Sequence, residues 1–115
     1  MKLPKGSIRY GVVYTTNIDT GRPEDADSPL VFTITNNGVV KTPQSGIEVT
    51  NPEIGKYLFQ YIFDNSLAQP GQSVIEEITA NVRDEIGRIA TVITMDPEPR
   101  TPKPSSQWFN SNSGL

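Results

Sequence analysis

The stretch KYLFQYIF, residues 56–63, decides the fold class because its aromatic residues alternate strictly with other residues. The alternating set is Tyr57, Phe59, Tyr61 and Phe63. A period of two is the side-chain period of a β-strand, so one parity of this segment faces one side of a sheet. A buried aromatic side chain hides roughly 150 to 250 Å² of surface. We therefore predict a central strand whose aromatic row faces inward and supplies much of the core.

Alternating segments continue on both sides of this strand. With residues 56–63 they make about seven short strands, the others being residues 8–14, 30–36, 39–42, 47–50, 74–82 and 89–94. Asn37-Gly38 suits the positive φ angles of a tight hairpin, and Asp84 to Gly87 is predicted as a second hairpin loop. Segments free of proline and glycine are rich in β-branched residues, which disfavours helices. The sequence predicts an all-β fold.

For two strands we predict which set of alternating residues faces the core. In residues 8–14 we expect the even-numbered set, Ile8 to Tyr14, to point into the core. In residues 74–82 we also favour the even-numbered set. Glu76 belongs to that set, so we expect it near the mouth of the strand, where its carboxylate reaches water.

Composition excludes several function classes. The 115 residues fit one domain, and the absence of histidine and cysteine excludes a Ser/His/Asp triad, a cysteine nucleophile, disulfides and the usual zinc sites. A net charge of -3 gives a nucleic acid no basic surface, and no apolar run is long enough to span a membrane. Glu76 and Glu77 point to opposite faces of a strand, so they cannot flank one bond. We expect no catalytic residues, no cofactor, and neither nucleic acid nor membrane as a partner.

An acidic loop is a candidate for a calcium site. Its oxygen-bearing side chains are Asp19, Glu24, Asp25 and Asp27, and calcium prefers oxygen ligands. Their spacing matches no twelve-residue calcium loop. Aspartate also favours turns by bonding nearby backbone amides, and that interpretation is preferred here.

The tyrosines offer an alternative kind of site, an aromatic platform for sugars. The candidates are Tyr10, Tyr14, Tyr57 and Tyr61. Alternation favours the core for all four, so the platform is the second interpretation.

The chain after Met95 changes character. Prolines recur at almost every second position of residues 97–104, which is typical of an extended, semi-rigid spacer. The only tryptophan, Trp108, follows beside Phe109, and the sequence ends at Leu115. Aromatic residues dominate interface hot spots, so we predict that Trp108, Phe109 and Leu115 bind a partner. The segment could instead fold back on its own sandwich or remain a disordered tail.

The turn segments resemble those of a known family. They are Thr20-Gly21-Arg22-Pro23-Glu24-Asp25-Ala26-Asp27-Ser28-Pro29, Asn37-Gly38, the run from Thr50 to Tyr57, and Gln69-Pro70-Gly71-Gln72. The chain resembles the small immunoglobulin-like β-sandwich modules of tailed-bacteriophage structural proteins and some bacterial surface proteins. The likeness covers about residues 8–95, and these segments are scaffold turns with no catalytic signature. It divides the chain into a lead-in (residues 1–7), the sandwich (residues 8–95) and a C-terminal arm (residues 96–115).

The resemblance implies a non-enzymatic component of a phage virion, made in the host cytoplasm. Such a component is a capsid decoration or cement protein, or a head, neck or tail accessory, and its partners are other virion subunits. A homo-oligomer is possible. The alternative is a carbohydrate- or receptor-binding adhesin-type module at a bacterial surface.

Overall fold

The computed structural model describes residues 1–97. Every regular element in this part of the chain is a strand. The strands are β1 (Lys2–Leu3), β2 (Ser7–Tyr14), β3 (Val31–Asn36), β4 (Val39–Lys41), β5 (Glu48–Glu53), β6 (Lys56–Phe63), β7 (Ser73–Val82) and β8 (Glu85–Met95). Within residues 1–97 no helix has the length and apolar character needed to cross a bilayer.

The strands form two sheets. The five-stranded sheet has the order β1-β8-β7-β3-β4, and the three-stranded sheet has the order β2-β6-β5. All pairs are antiparallel except β1 with β8. This is an immunoglobulin-like β-sandwich, as predicted. The sequence indicated about seven strands, and the additional one is β1, which lies in the predicted lead-in of residues 1–7.

The core lies between the two sheets and contains the aromatic row of β6. Phe59, Tyr61 and Phe63 are buried, which confirms the prediction, while Tyr57 is half-buried at the end of the row. The buried apolar residues that surround them are Val13, Ile34, Leu67, Ala68, Val74, Ile78, Ile93 and Met95. The ring centroids of Phe32 and Phe59 lie 5.1 Å apart, so an aromatic contact joins the two sheets.

Two hairpins turn on pairs of residues with positive φ. Asn37 (φ 51°) and Gly38 (φ 80°) connect β3 to β4, as predicted. The second hairpin is shorter than the predicted loop from Asp84 to Gly87: it turns on Arg83 (φ 51°) and Asp84 (φ 65°), and β8 begins directly afterwards. Asp84 tolerates this conformation, and its backbone N–H donates to Asp27 Oδ2 at 3.2 Å.

The long loop between β2 and β3 is held against the β5–β6 turn. Thr15 donates its backbone N–H to Gly55 O at 2.9 Å, and Gly55 donates its own to Asp25 Oδ1 at 2.7 Å. Gly55 has a φ of 72°, and a Cβ built there would lie 2.6 Å from Thr15 O and 2.9 Å from the Glu24 backbone nitrogen. Only glycine fits this contact, so the turn and the loop form one unit.

Candidate binding surfaces

Strand β2 presents the opposite face from the one its sequence suggested. The even-numbered residues from Ile8 to Tyr14 are exposed, while Arg9 and Val13 are buried. The reason is register: Arg9 lies opposite Tyr61, and Gly11 lies opposite Phe59. Directly opposed residues share a face, so the inward aromatic row of β6 carries the odd-numbered residues of β2 inward with it. The prediction for this strand was wrong.

The inward side chain of Arg9 forms an ion pair inside the sandwich. Its Nε donates to Glu76 Oε2 at 3.0 Å and its Nη2 to Oε1 at 2.8 Å, while Nη1 donates to Tyr10 O at 3.1 Å. The Tyr61 hydroxyl donates to Glu76 Oε2 at 2.6 Å. The guanidinium carbon also lies 5.2 Å from the centroid of the Phe59 ring. We call Arg9, Tyr61 and Glu76 the buried triad.

The buried triad joins the sheets and leaves no reactive group at the surface. The even-numbered set of β7 does face inward, as predicted, but Glu76 is 0% exposed and sits in the interior, so its predicted place at the mouth of the strand is wrong. Hydrogen bonding to Glu76 raises the pKa of Arg9, and burial raises the pKa of Tyr61 above its ordinary value. Because a dissolved substrate cannot reach this carboxylate, the triad is a link between sheets.

The same inversion places apolar side chains on the outside of the three-stranded sheet. Tyr10 is 54% exposed and Tyr14 is 68% exposed. Across the ladder, Ile8 lies opposite Ile62, and Val12 lies opposite the half-buried Leu58. We call these six residues the outer face: Ile8, Tyr10, Val12, Tyr14, Leu58 and Ile62. An exposed contiguous apolar patch marks an interaction site more often than scattered apolar residues do.

Polar side chains also lie on this side of the sheet. Gln60 lies opposite Tyr10, between Leu58 and Ile62 on β6, and its Nε2 donates to Glu48 Oε1 on β5 at 2.7 Å. At the end of the outer face, opposite Tyr14, Lys56 Nζ lies 3.7 Å from Glu53 Oε2.

The four tyrosines proposed as a sugar platform do not share one surface. Tyr10 and Tyr14 lie on the outer face, about 13 Å apart along β2. Tyr61 is buried, and the half-buried Tyr57 accepts a hydrogen bond from the Ala26 N–H at 2.9 Å. The expectation that Tyr10 and Tyr14 belong to the core was wrong, for the register reason given above.

The acidic loop uses its carboxylates separately. Glu24 accepts a bifurcated hydrogen bond from the N–H of Arg83 Nε, at 2.8 Å to Oε2 and 3.0 Å to Oε1, and its Oε1 also accepts from Asn17 Nδ2 at 3.2 Å. Asp25 accepts from the β5–β6 turn, and Asp27 accepts from the β7–β8 turn. At Asp19 it is the backbone that is bonded: its N–H donates to Asn17 Oδ1 at 2.8 Å. Among the residues that the structure describes, no three acidic side chains gather as a metal site.

One corner of the sandwich is open. In β8, Ile93 and Met95 are buried, but Ile89, which has the same parity, is 48% exposed. The cause is that β1 pairs with β8 only at Thr94 and Met95. Within residues 1–97 no strand covers the rest of that edge. A cavity of about 280 Å³ lies between this edge and the end of β2, lined by Val13, Ile78, Val82, Ile86 and Ile89 among others. We call it the corner groove.

The remaining predicted site residues, Trp108, Phe109 and Leu115, lie outside the described residues. No protein-family model matches the chain, and no curated protein matches it. Among solved structures, the trigonal form of titin M4 is similar to this chain, at 15% sequence identity over 84% of each chain with a TM-score of 0.43.

Proposed function

We propose that this chain is a non-enzymatic structural component of a phage virion, a capsid decoration or cement protein or a head, neck or tail accessory, which binds neighbouring virion subunits. The observation that carries the proposal is the outer face. A sandwich that turns Ile8, Tyr10, Val12 and Tyr14 toward solvent has apolar surface that a protein partner can bury. The virion setting rests on the resemblance of the turn segments.

Weak individual contacts suffice for this role. Tyrosine is enriched at interface hot spots because its ring is apolar and its hydroxyl is polar. Many copies on a particle lattice add their contacts through multivalency. The acidic body without cysteine remains soluble before assembly.

The test begins with mass spectrometry of purified particles from the source, which asks whether the chain is a stoichiometric component. The second step compares two double variants for incorporation into those particles. Tyr10→Thr with Tyr14→Thr removes the aromatic part of the outer face and keeps high strand propensity. Val31→Thr with Val92→Thr is the matched control, because Val31 and Val92 are similarly exposed on the other sheet. We expect the first variant to be lost from particles and the control to be retained.

A chain absent from every particle would refute the proposal. Deleting residues 105–115 is a separate test of the arm: we expect the sandwich to fold and incorporation to be lost. Unchanged incorporation would remove the arm from the mechanism.

The second candidate is a carbohydrate- or receptor-binding adhesin-type module. The observation that favours it is the exposure of Tyr10 and Tyr14, because exposed aromatic rings can stack on sugars. A glycan array with the full chain and with the Tyr10→Thr, Tyr14→Thr variant separates the two functions. Glycan binding that depends on these two tyrosines would favour the adhesin.

A further inference from the structure

We propose that the corner groove binds the Trp108-Phe109 segment of a neighbouring copy of this chain, so that one copy's arm docks into the next copy's sandwich. This inference rests on the proposed function and names the partner of the arm. It is carried by four features: the open strand edge, the apolar groove beneath it, the composition of residues 105–111, and the direction of the chain at Asp96.

The open edge supplies backbone partners. From Glu85 to Thr91, β8 pairs with β7 on one side only, and no other described strand covers the second side. Seven residues are enough for a strand of ordinary length. An uncovered edge of this kind is a template for an added strand, which gains affinity from main-chain hydrogen bonds.

The groove supplies an apolar pocket beside that edge. Ile89 lies opposite the buried Ile78 and shares its inward face, yet Ile89 remains half-exposed because nothing described closes the corner above it. Val13 and Val82, both buried, form the floor of the same space. Apolar cavities of about 150 Å³ accept a benzene-sized ring, so a space of about 280 Å³ has room for an aromatic side chain.

The chain contains one segment suited to both features. Residues 105–111, SSQWFNS, contain no proline, so every backbone N–H can donate to a strand edge. In an extended strand, Trp108 and Phe109 point to opposite sides. One ring then enters the corner groove, and the other lies on the opposite side of the added strand.

The direction of the chain at Asp96 favours a neighbouring copy over the same copy. Asp96 donates its N–H to Leu3 O at 2.9 Å, so as far as Asp96 the chain runs in the direction of β8, away from Ile89. Met95 already lies about 20 Å beyond Ile89. The proline-rich residues 97–104 are typical of a semi-rigid spacer of about 25 Å, which resists the reversal that docking on the same copy requires. A head-to-tail contact of this kind links copies heterologously.

The experiment uses the full chain and the fluorescence of Trp108, which is its only tryptophan. Emission is recorded over a dilution series, together with the sedimentation coefficient. We expect the emission to move to shorter wavelength as concentration rises, in step with self-association. Ile89→Asp places a carboxylate in the groove and should weaken the association at least tenfold. Val92→Asp is the matched control, since Val92 lies on the same strand with similar exposure (55%) but faces the other way.

A mixing experiment identifies the copy that accepts the arm. One chain carries Ile89→Asp, which blocks its groove and leaves its tryptophan. The other carries Trp108→Ala with Phe109→Ala, which leaves only the groove. We expect mixing to restore the shift of emission to shorter wavelength. A shift that is independent of concentration and unaffected by mixing would show docking on the same copy and overturn the proposal.

The absence of any shift, or its loss in both Asp variants, would also overturn the inference. Incorporation into particles is measured separately. The single variant Tyr10→Thr is used for this comparison, because Tyr14 also lines the corner groove and Tyr10 does not. Particles that contain the chain and lose the Tyr10→Thr variant would sustain the proposed function even if no arm docking occurs.

Discussion

Breaking the buried triad should cost far more stability than removing it completely. In Arg9→Met the Glu76 carboxylate stays in the interior, where it is 0% exposed, and keeps only the Tyr61 hydroxyl as a side-chain donor. In Glu76→Leu the Arg9 guanidinium loses both of its bonds to the carboxylate. Leaving one charge of a buried pair without its partner costs about 3 to 5 kcal/mol. For a domain of this size that lowers Tm by more than about 10 °C.

The combined variant Arg9→Met, Tyr61→Phe, Glu76→Leu removes every member of the triad and replaces each with an apolar side chain of similar volume. Two desolvated charges disappear together, and no hydroxyl is left without its acceptor. We expect this variant to lie within about 1 kcal/mol of the wild type, because apolar packing replaces buried ion pairs at little cost.

The assay is urea denaturation at neutral pH, followed by far-UV circular dichroism for the wild type, the single variants and the combined variant. The coupling energy is the sum of the decreases in unfolding free energy of the single variants minus the decrease observed in the combined variant. We expect at least about 3 kcal/mol. Single variants that lose less than about 1 kcal/mol, or a combined loss equal to the sum, would refute this account of the triad.

Three further measurements test other parts of the structure. Burial raises the folded-state pKa of Tyr61, so its contribution to stability is complete below pH 10 and is lost above it as the unfolded chain ionises. The free energy of unfolding should therefore decline less steeply above pH 10 in Tyr61→Phe than in the wild type, and equal slopes would contradict this. Gly55→Ala should lower Tm more than Gly46→Ala, because both glycines have positive φ but only Gly55 has backbone atoms within 3 Å of the added Cβ. Equal decreases in Tm would mean that the positive φ accounts for the whole effect. Calcium or a chelator should leave Tm unchanged, because the carboxylates of Glu24, Asp25 and Asp27 bind separate partners. A rise of Tm with added calcium would instead support a calcium site in this loop.

The fold class could be predicted because the period of two in residues 56–63 is a local property of the chain. The inward face of β2 could not be predicted in this way. Its even-numbered residues are all apolar, so the local pattern indicated that they face the core. The face that β2 presents is decided instead by which residue of β6 lies opposite each of its residues. Register is a long-range property. Gly11 is the one residue of β2 whose size indicates the inward face. A Cβ there would lie 2.4 Å from the Phe59 ring, so only a residue without a side chain fits between β2 and the core at this position.

The buried triad also has a signal in the sequence. Glu76 stands in the inward set of β7 among apolar residues, and a buried carboxylate is almost never left unpaired. A hydrogen-bond donor or a cation from another strand is therefore expected beside it. Arg9 is 67 positions away, so no spacing rule connects the pair. The outer face followed from the same missed pairing, because an inward Arg9 forces Tyr10 and Tyr14 outward.

The parallel pairing of β1 with β8 has a mechanical consequence. Tension applied to Met1 and Pro97 would pull the two strands in opposite directions along their common axis. The bonds from Thr94 to Met1 and from Asp96 to Leu3 would then be loaded together, whereas a hairpin pulled at its open end separates one bond at a time. Resistance to such a load is governed by the rate of unfolding. The two-residue strand β1 therefore resists such tension in shear, at the point where the arm begins.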